Sequence, residues 1–186
     1  SEVHLTATGL DGDKQADTIF HGGPDKAVCV YPVEHYAYWE RRLGIALHPG
    51  AFGENFTTTG LLESEVCIGD IYRVGDAVVQ LSQPRQPCYR LAARYQRPEL
   101  PKWVVATGFT GFYLRTVQPG PVGAGHALEL LERPSPGVTV SLANAVIFSR
   151  SKSERDLRAV LDASGLAIDL RHALQQRLGV VLQDSG

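Results

Sequence analysis

Methionine is absent from this chain of 186 residues, even at position 1, so the sequence is expected to be processed or truncated at its start. Cysteine is scarce and odd in number. Cys29, Cys67 and Cys88 lack the C-x-x-C spacing of zinc or redox sites, and an odd count leaves at least one free thiol. Long apolar runs are also missing. No stretch approaches the roughly 20 residues that span a bilayer, and no charged-then-apolar leader precedes the first strand-like segment, so no membrane partner and a cytoplasmic location are expected. Neither sign of charge is in excess: a net charge of −2 gives no global field to attract nucleic acid, membranes or acidic substrates. The H-E-x-x-H zinc helix, the G-x-S-x-G nucleophile elbow, the Walker loop and a G-x-G-x-x-G turn after a strand do not occur either. Hydrolase and nucleotide-fold readings lose their support accordingly.

What is present is an ordinary folded composition, 44% apolar and 20% charged, long enough for one medium domain or a main domain with a small appendage. Residues 1 to about 140 read as mainly β with α insertions. Val66 to Ile68, Ile71 to Val74 and Ala77 to Ser82 are β-prone runs separated by Gly69-Asp70 and Gly75-Asp76, which predicts a meander with two hairpin turns. Val28 to Tyr31 and Leu128 to Leu131 look like further strands. Pro32 followed by Val33, Tyr36, Ala37, Glu40 and Leu43 suits a helix ended by Gly44, and a second helix is expected from near Cys88 to Pro98. The stretch ERPSPGVTV, Glu132 to Val140, changes texture and is read as a domain boundary. Three helices are expected beyond it: Leu142 to Phe148, Lys152 to Ala163 with a capping box from Ser151 to Glu154, and Leu170 to Leu178 opened by Asp169. So short a helical unit must dock on the β region or on a partner.

The strongest local signal is QPRQPCYR, Gln83 to Arg90, directly after a strand-like run. Prolines at 84 and 87 restrict φ and remove backbone donors, which makes a stiff strand-to-helix connection presenting Cys88. Arg85, Arg90, Arg94, Arg97 and Lys102 surround it in sequence against one acid, Glu99, and such surroundings favour a thiolate. A free cysteine is most often a small buried hydrophobe, and Cys29 in VCVY and Cys67 in VCIG suit that description. Cys88, between proline and arginine at an element boundary, suits it less. A second constellation is HGGPDKA, where Gly22 and Gly23 can turn backbone N–H groups inward and His21 and Lys26 add charge, a recipe for an anion nest; a plain β-turn with a solvated lysine has the same composition. The loop PGAFGENFTTTGL could bind a heterocycle through Asn55, or be any long polar turn. Arg115 in FYLRTV is a ligand-facing cation or, more commonly, an edge-strand charge. Glu34 and His35 are adjacent on a helix and do not face one another, so an aromatic helix with a solvated edge explains them more simply than an acid–base pair.

Taken in order, GLDGDKQAD, HGGPDKAVCVYPVEHYAYW, FGENFTTTGL, VCIGD, QLSQPRQPCY and TGFTGFYLR resemble the motif series of MOSC-domain proteins of the YiiM type. The likeness covers nearly the whole β region, and the last 45 or so residues are similar to the three-helix domain that follows MOSC in that subfamily. The resemblance implies a twisted β-barrel-like MOSC domain over residues 1–138, lacking an N-terminal strand, and a three-helix domain over 139–186. It also implies molybdenum cofactor (molybdopterin) as ligand and Cys88 as the metal's protein ligand, an appropriate soft donor for a thiophilic metal. His21, Gly22, Gly23, Lys26, Asn55 and Arg85 would serve the cofactor's phosphate and pterin. The activity implied is reduction of N-hydroxylated compounds such as hydroxylamino-purines. With no flavin, haem or iron–sulfur motif, a separate reductase partner must supply electrons. The alternative is a non-catalytic carrier of cofactor, or of sulfur as a Cys88 persulfide. A nucleic-acid adaptor is disfavoured, because Lys152, Arg155, Arg158, Arg171 and Arg177 in the tail are offset by Glu154, Asp156, Asp162 and Asp169.

Overall fold

The run Val28–Pro32 is apolar or aromatic at every position, and a strand of that kind must be covered on both faces. In the computed structural model, which describes residues 2–12, 23–148 and 153–184, all five of its residues are buried. Strands β1 (Glu2–Thr6) and β2 (Gly9–Leu10) precede it, and the buried run itself is β3. Next come a 3-10 turn (Val33–His35), helix α1 (Tyr36–Leu43), β4 (Phe56–Thr58), β5 (Ile71–Val74) and β6 (Ala77–Pro84). Helices α2 (Tyr89–Tyr95) and α3 (Leu100–Thr107) separate β6 from β7 (Phe112–Gln118), β8 (Gly120–Gly123) and β9 (Leu128–Glu132). The last elements are helices α4 (Val140–Ile147), α5 (Glu154–Asp162) and α6 (Ile168–Asp184).

Six strands form a curled half-barrel sheet in the order β4-β3-β7-β6-β5-β9, and β2-β1-β8 form a second, three-stranded sheet. Only β3 and β4 run parallel; the other pairs are antiparallel. The fold class expected from the sequence, mainly β with α insertions and three C-terminal helices, is the one observed. The predicted three-strand meander is not. Only its second half forms a hairpin, Val74 facing Ala77 across Gly75-Asp76. At Gly69-Asp70 the Asp70 carboxylate accepts the Cys67 N–H (2.9 Å), so residues 66–68 turn away from β5. They pair instead with the segment leading into α4, through Ile68 N–H to Val138 O (2.9 Å) and Val140 N–H to Val66 O (3.0 Å). The neighbour β5 gains is β9. Asp70 is fully buried and also accepts from Tyr72 Oη and, through both its oxygens, from Arg133, satisfying a charge that burial would otherwise penalise.

Helix ends shift for local reasons. The predicted helix after Pro32 begins as the 3-10 turn, and the helix expected from near Cys88 to Pro98 ends at Tyr95, with Gln96 at φ +50°; α3, which the sequence reading did not anticipate, follows from Leu100. The expected cap of α5 at Ser151 lies outside the described residues, and the cap seen is Ser153 Oγ accepting the Asp156 N–H (3.2 Å). One buried apolar cluster joins the sheet to the C-terminal helices, Leu81 and Leu114 packing in the same core as Val146, Val160 and Leu170. A second, aromatic cluster gathers Tyr31, Trp39, Phe52 and Leu100 under α1 and α3. Its polar edges are paired: Trp39 Nε1 donates to Tyr31 Oη (2.7 Å). His35 does not sit on a solvated edge; it is buried, bonded to Glu63 (2.7 Å) and stacked on Phe109. Glu34 turns the other way and accepts the Gly60 N–H (2.6 Å).

Candidate functional site

Strand β6 ends in Pro84, and its pairing continues one residue further through the Arg85 N–H to Gly111 O (3.0 Å). Pro87 then directs the chain into α2 with Cys88 as the N-cap residue, its backbone extended. The thiol is half-buried and makes no capping bond to the helix. It opens instead on a cavity of about 510 Å³ that also receives Lys26, Gln83, Gln86 and Tyr113. The stiff strand-to-helix connection read from the sequence thus presents Cys88 to open volume, as a positioned group rather than a packed one.

Arg85 is 9% exposed. Burial works against its charge, but Cys29, Tyr113, Cys88 and Tyr31 around it hold its pKa above the ordinary arginine value. Burial likewise pushes the Cys29 thiol up against the opposing pull of Arg85, and it drives the Tyr113 phenol well up, with Cys29 adding and Arg85 opposing. The result is one fixed cation beside the protonated Cys29 and Tyr113, within electrostatic reach of Cys88. The other expected cations do not all converge there. Arg94 donates to the Gly50 carbonyl (3.1 Å), and Lys102 lines a separate depression beyond Gln86 and Pro87.

Of the residues singled out in the sequence, Cys88 and Lys26 face this cavity and Arg85 lies behind it. Lys26 ends a 3-10 turn (Pro24–Lys26), its N–H donating to Gly23 O (3.0 Å), which places Gly23 at the root of the same turn. His21 and Gly22 lie outside the described residues. Asn55 is elsewhere. Its Oδ1 accepts the Cys29 N–H (2.8 Å), and it lines a second cavity of about 500 Å³ with Thr58, Val122 and His126. Arg115 is neither ligand-facing nor an edge charge, because β7 lies inside the sheet. It pairs with Asp25 (2.9 Å) and donates to Gly165 O (2.8 Å). Sequence reasoning did not anticipate Asp169, Leu170 and Ala173 of α6, which form a wall of the Cys88 cavity. Asp169 was legible only as a helix opener; nothing local marks it as facing a thiol some 80 residues away.

A family model described as the MOSC domain matches residues 17–129. The chain belongs to the MOSC family. Among curated relatives, the uncharacterized protein YflK of Bacillus subtilis is 45% identical over 177 residues, covering 95% of this chain and 80% of that protein. Protein YiiM of Escherichia coli is 41% identical over 180 residues with the same coverages. A protein named "Reductase" from Gibberella moniliformis is 38% identical over 160 residues, 81% of this chain but only 28% of that much longer protein. Among solved structures, YiiM from Geobacillus stearothermophilus superposes with a TM-score of 0.85 at 39% identity, covering 96% of this chain and 85% of that one. YiiM from Escherichia coli superposes at 0.86 and 38%, with the same coverages. This chain is therefore a MOSC protein similar to the YiiM proteins in sequence and fold alike. No helix among the described residues is long and apolar enough to cross a membrane.

Proposed function

We propose that this MOSC protein binds molybdenum cofactor in the Cys88 cavity and reduces N-hydroxylated compounds to amines. The observation that carries the reading is Cys88 itself: a thiol on a proline-flanked strand-to-helix connection, making no cap bond and open to a cavity that Lys26 also lines. The donor set fits such a group. A metal that carries ligands of its own needs a single soft protein donor, which Cys88 supplies.

In this reading Cys88 is the protein ligand, and Lys26 with the Gly23 turn and His21-Gly22 receives the phosphate. Arg85 keeps a positive charge behind the thiol, while Asn55 acts at one remove by clamping the Cys29 backbone. A bound cofactor would supply the two-electron couple for the reduction. The balanced reaction consumes the N-hydroxyl compound, two electrons and two protons, and yields the amine and water. A separate reductase supplies the electrons. The polar side chains in the cavity lining, Lys26, Gln83, Gln86 and Tyr113, orient the substrate. The reductase-named relative supports the reaction class.

The test is elemental analysis and turnover of protein made in a host able to synthesise the cofactor. Wild type is expected to carry stoichiometric molybdenum and to reduce a hydroxylamino-purine; Cys88→Ser is expected to lose both while keeping its melting temperature, since the side chain is half-buried and packs little. Wild-type turnover by Cys88→Ser overturns the ligand assignment. Labile sulfur on Cys88 without molybdenum supports a carrier instead.

A further inference from the structure

Helix α6 contributes Asp169, Leu170 and Ala173 to the Cys88 cavity, and it is held there by contacts that a loosely tethered tail would not make. The Ile168 N–H donates to Asp25 Oδ2 (2.9 Å), and the Ala167 N–H donates to Ser82 O (2.9 Å). Asp25 pairs with Arg115 (2.9 Å), whose guanidinium also donates to Gly165 O (2.8 Å). These bonds fasten the first turn of α6 to β6, to β7 and to the turn that carries Lys26. The Asp169 carboxylate itself makes no hydrogen bond or ion pair with the described residues. An acid in the first turn suits the helix dipole, which accounts for the residue type. Its place on the same cavity as a lysine and the half-buried thiol is a separate fact.

We propose that Asp169 is a specificity-determining residue whose carboxylate accepts hydrogen bonds from N–H groups standing beside the substrate's N-hydroxyl. The inference takes the reaction from the reductase reading and the contact from the cavity. Among the described residues lining that volume Asp169 is the only carboxylate; Gln83, Gln86 and Tyr113 are neutral and Lys26 is a donor. A substrate that places its hydroxyl at the Cys88 end and an adjacent amino or ring N–H toward α6 meets the one acceptor able to form charge-assisted bonds with it. An N-hydroxyl compound lacking that N–H cannot form this bond.

The experiment compares benzamidoxime, which has an amino group beside its N-hydroxyl, with benzaldoxime, which lacks it, on cofactor-loaded wild type, Asp169→Asn and Asp169→Glu. Calorimetry without electron donor gives Kd, and turnover with donor gives kcat and KM. Asp169→Asn is expected to weaken benzamidoxime about tenfold in Kd and KM, the order for one charge-assisted bond. Its kcat and its affinity for benzaldoxime should be unchanged, and Asp169→Glu should recover most of the loss. An unaltered Kd ratio in Asp169→Asn, or an equal loss for both compounds, overturns the proposal. If neither compound turns over in any of the proteins while the Kd ratio still shifts, the reductase reading falls and the Asp169 assignment stands.

Discussion

Cys29 and Cys88 lie within reach of the same guanidinium, yet the fold uses them differently. Cys29 sits in the buried strand β3, where burial holds its thiol protonated more firmly than an ordinary cysteine, against the pull of Arg85. Cys88 opens on the cavity. An alkylating reagent is therefore expected to modify Cys88 alone in the native protein, with Cys29 and Cys67 reacting only after unfolding; mass analysis of native and urea-unfolded samples checks this. Cys29→Ser should retain molybdenum but cost about 1–3 kcal/mol in urea unfolding, because it buries a hydroxyl in an apolar strand. Rapid native labelling of Cys29 would reverse the two assignments. The sequence separated these thiols through their surroundings, Pro87 and the nearby arginines for Cys88 against the flanking valines of Cys29. It could not reveal that they flank one cation, since that depends on β3 and the end of β6 both lying beside β7.

At the scale of elements, the tightest junction is between the start of β5 and the loop joining α5 to α6. Gly69 has φ +89°, and a Cβ there would fall 2.1 Å from Ser164 O and 3.1 Å from a Pro134 side-chain atom. The Ser164 carbonyl cannot give way without moving the loop that carries α6. Gly69→Ala should thus cost about 3 kcal/mol or more and disturb the cavity wall as well. Gly44→Ala is the comparison: φ is +73° at the end of α1, but the space beyond is open, so about 1 kcal/mol is expected. Urea midpoints of both variants, with benzamidoxime affinity, decide whether close approach or backbone conformation dominates. Equal costs would mean that the loop yields. Gly69 read from the sequence as a hairpin turn, and that was half right: the turn exists, but Asp70 diverts it, and the reason for glycine lies in a loop almost 100 residues later.

For the molecule as a whole, the aromatic cores imply alkaline sensitivity. Burial, with Glu54 adding, pushes the Tyr36 phenol from its ordinary value of 10 up to about 12, and burial raises Tyr31, Tyr72 and Tyr113 as well. These groups hold their protons more tightly folded than unfolded, so their contribution is complete below the ordinary tyrosine value. It is lost as pH rises from there through the folded values. Stability to urea should begin to dip above about pH 9, where the raised Cys29 thiol first contributes, and the steeper, tyrosine-driven fall should begin above about pH 10. Tyr36→Phe should flatten the first part of the fall. A profile already declining near neutrality would show that other groups govern.

The sequence by itself determined the fold class, the family, the β5–β6 hairpin and the rigid presentation of Cys88, because each is written in local patterning, turn chemistry or an ordered series of motifs. Tertiary structure alone decided which distant side chains share a volume. It moved Asn55 to another cavity, turned Arg115 into a clasp on the α5–α6 loop, and set Asp169 across from Cys88. The physical reason is that a cavity is bounded by whichever segments the sheet order and helix docking bring together, and hydrogen bonds such as Arg115 to Gly165, between residues 50 positions apart, leave no local trace in composition or periodicity.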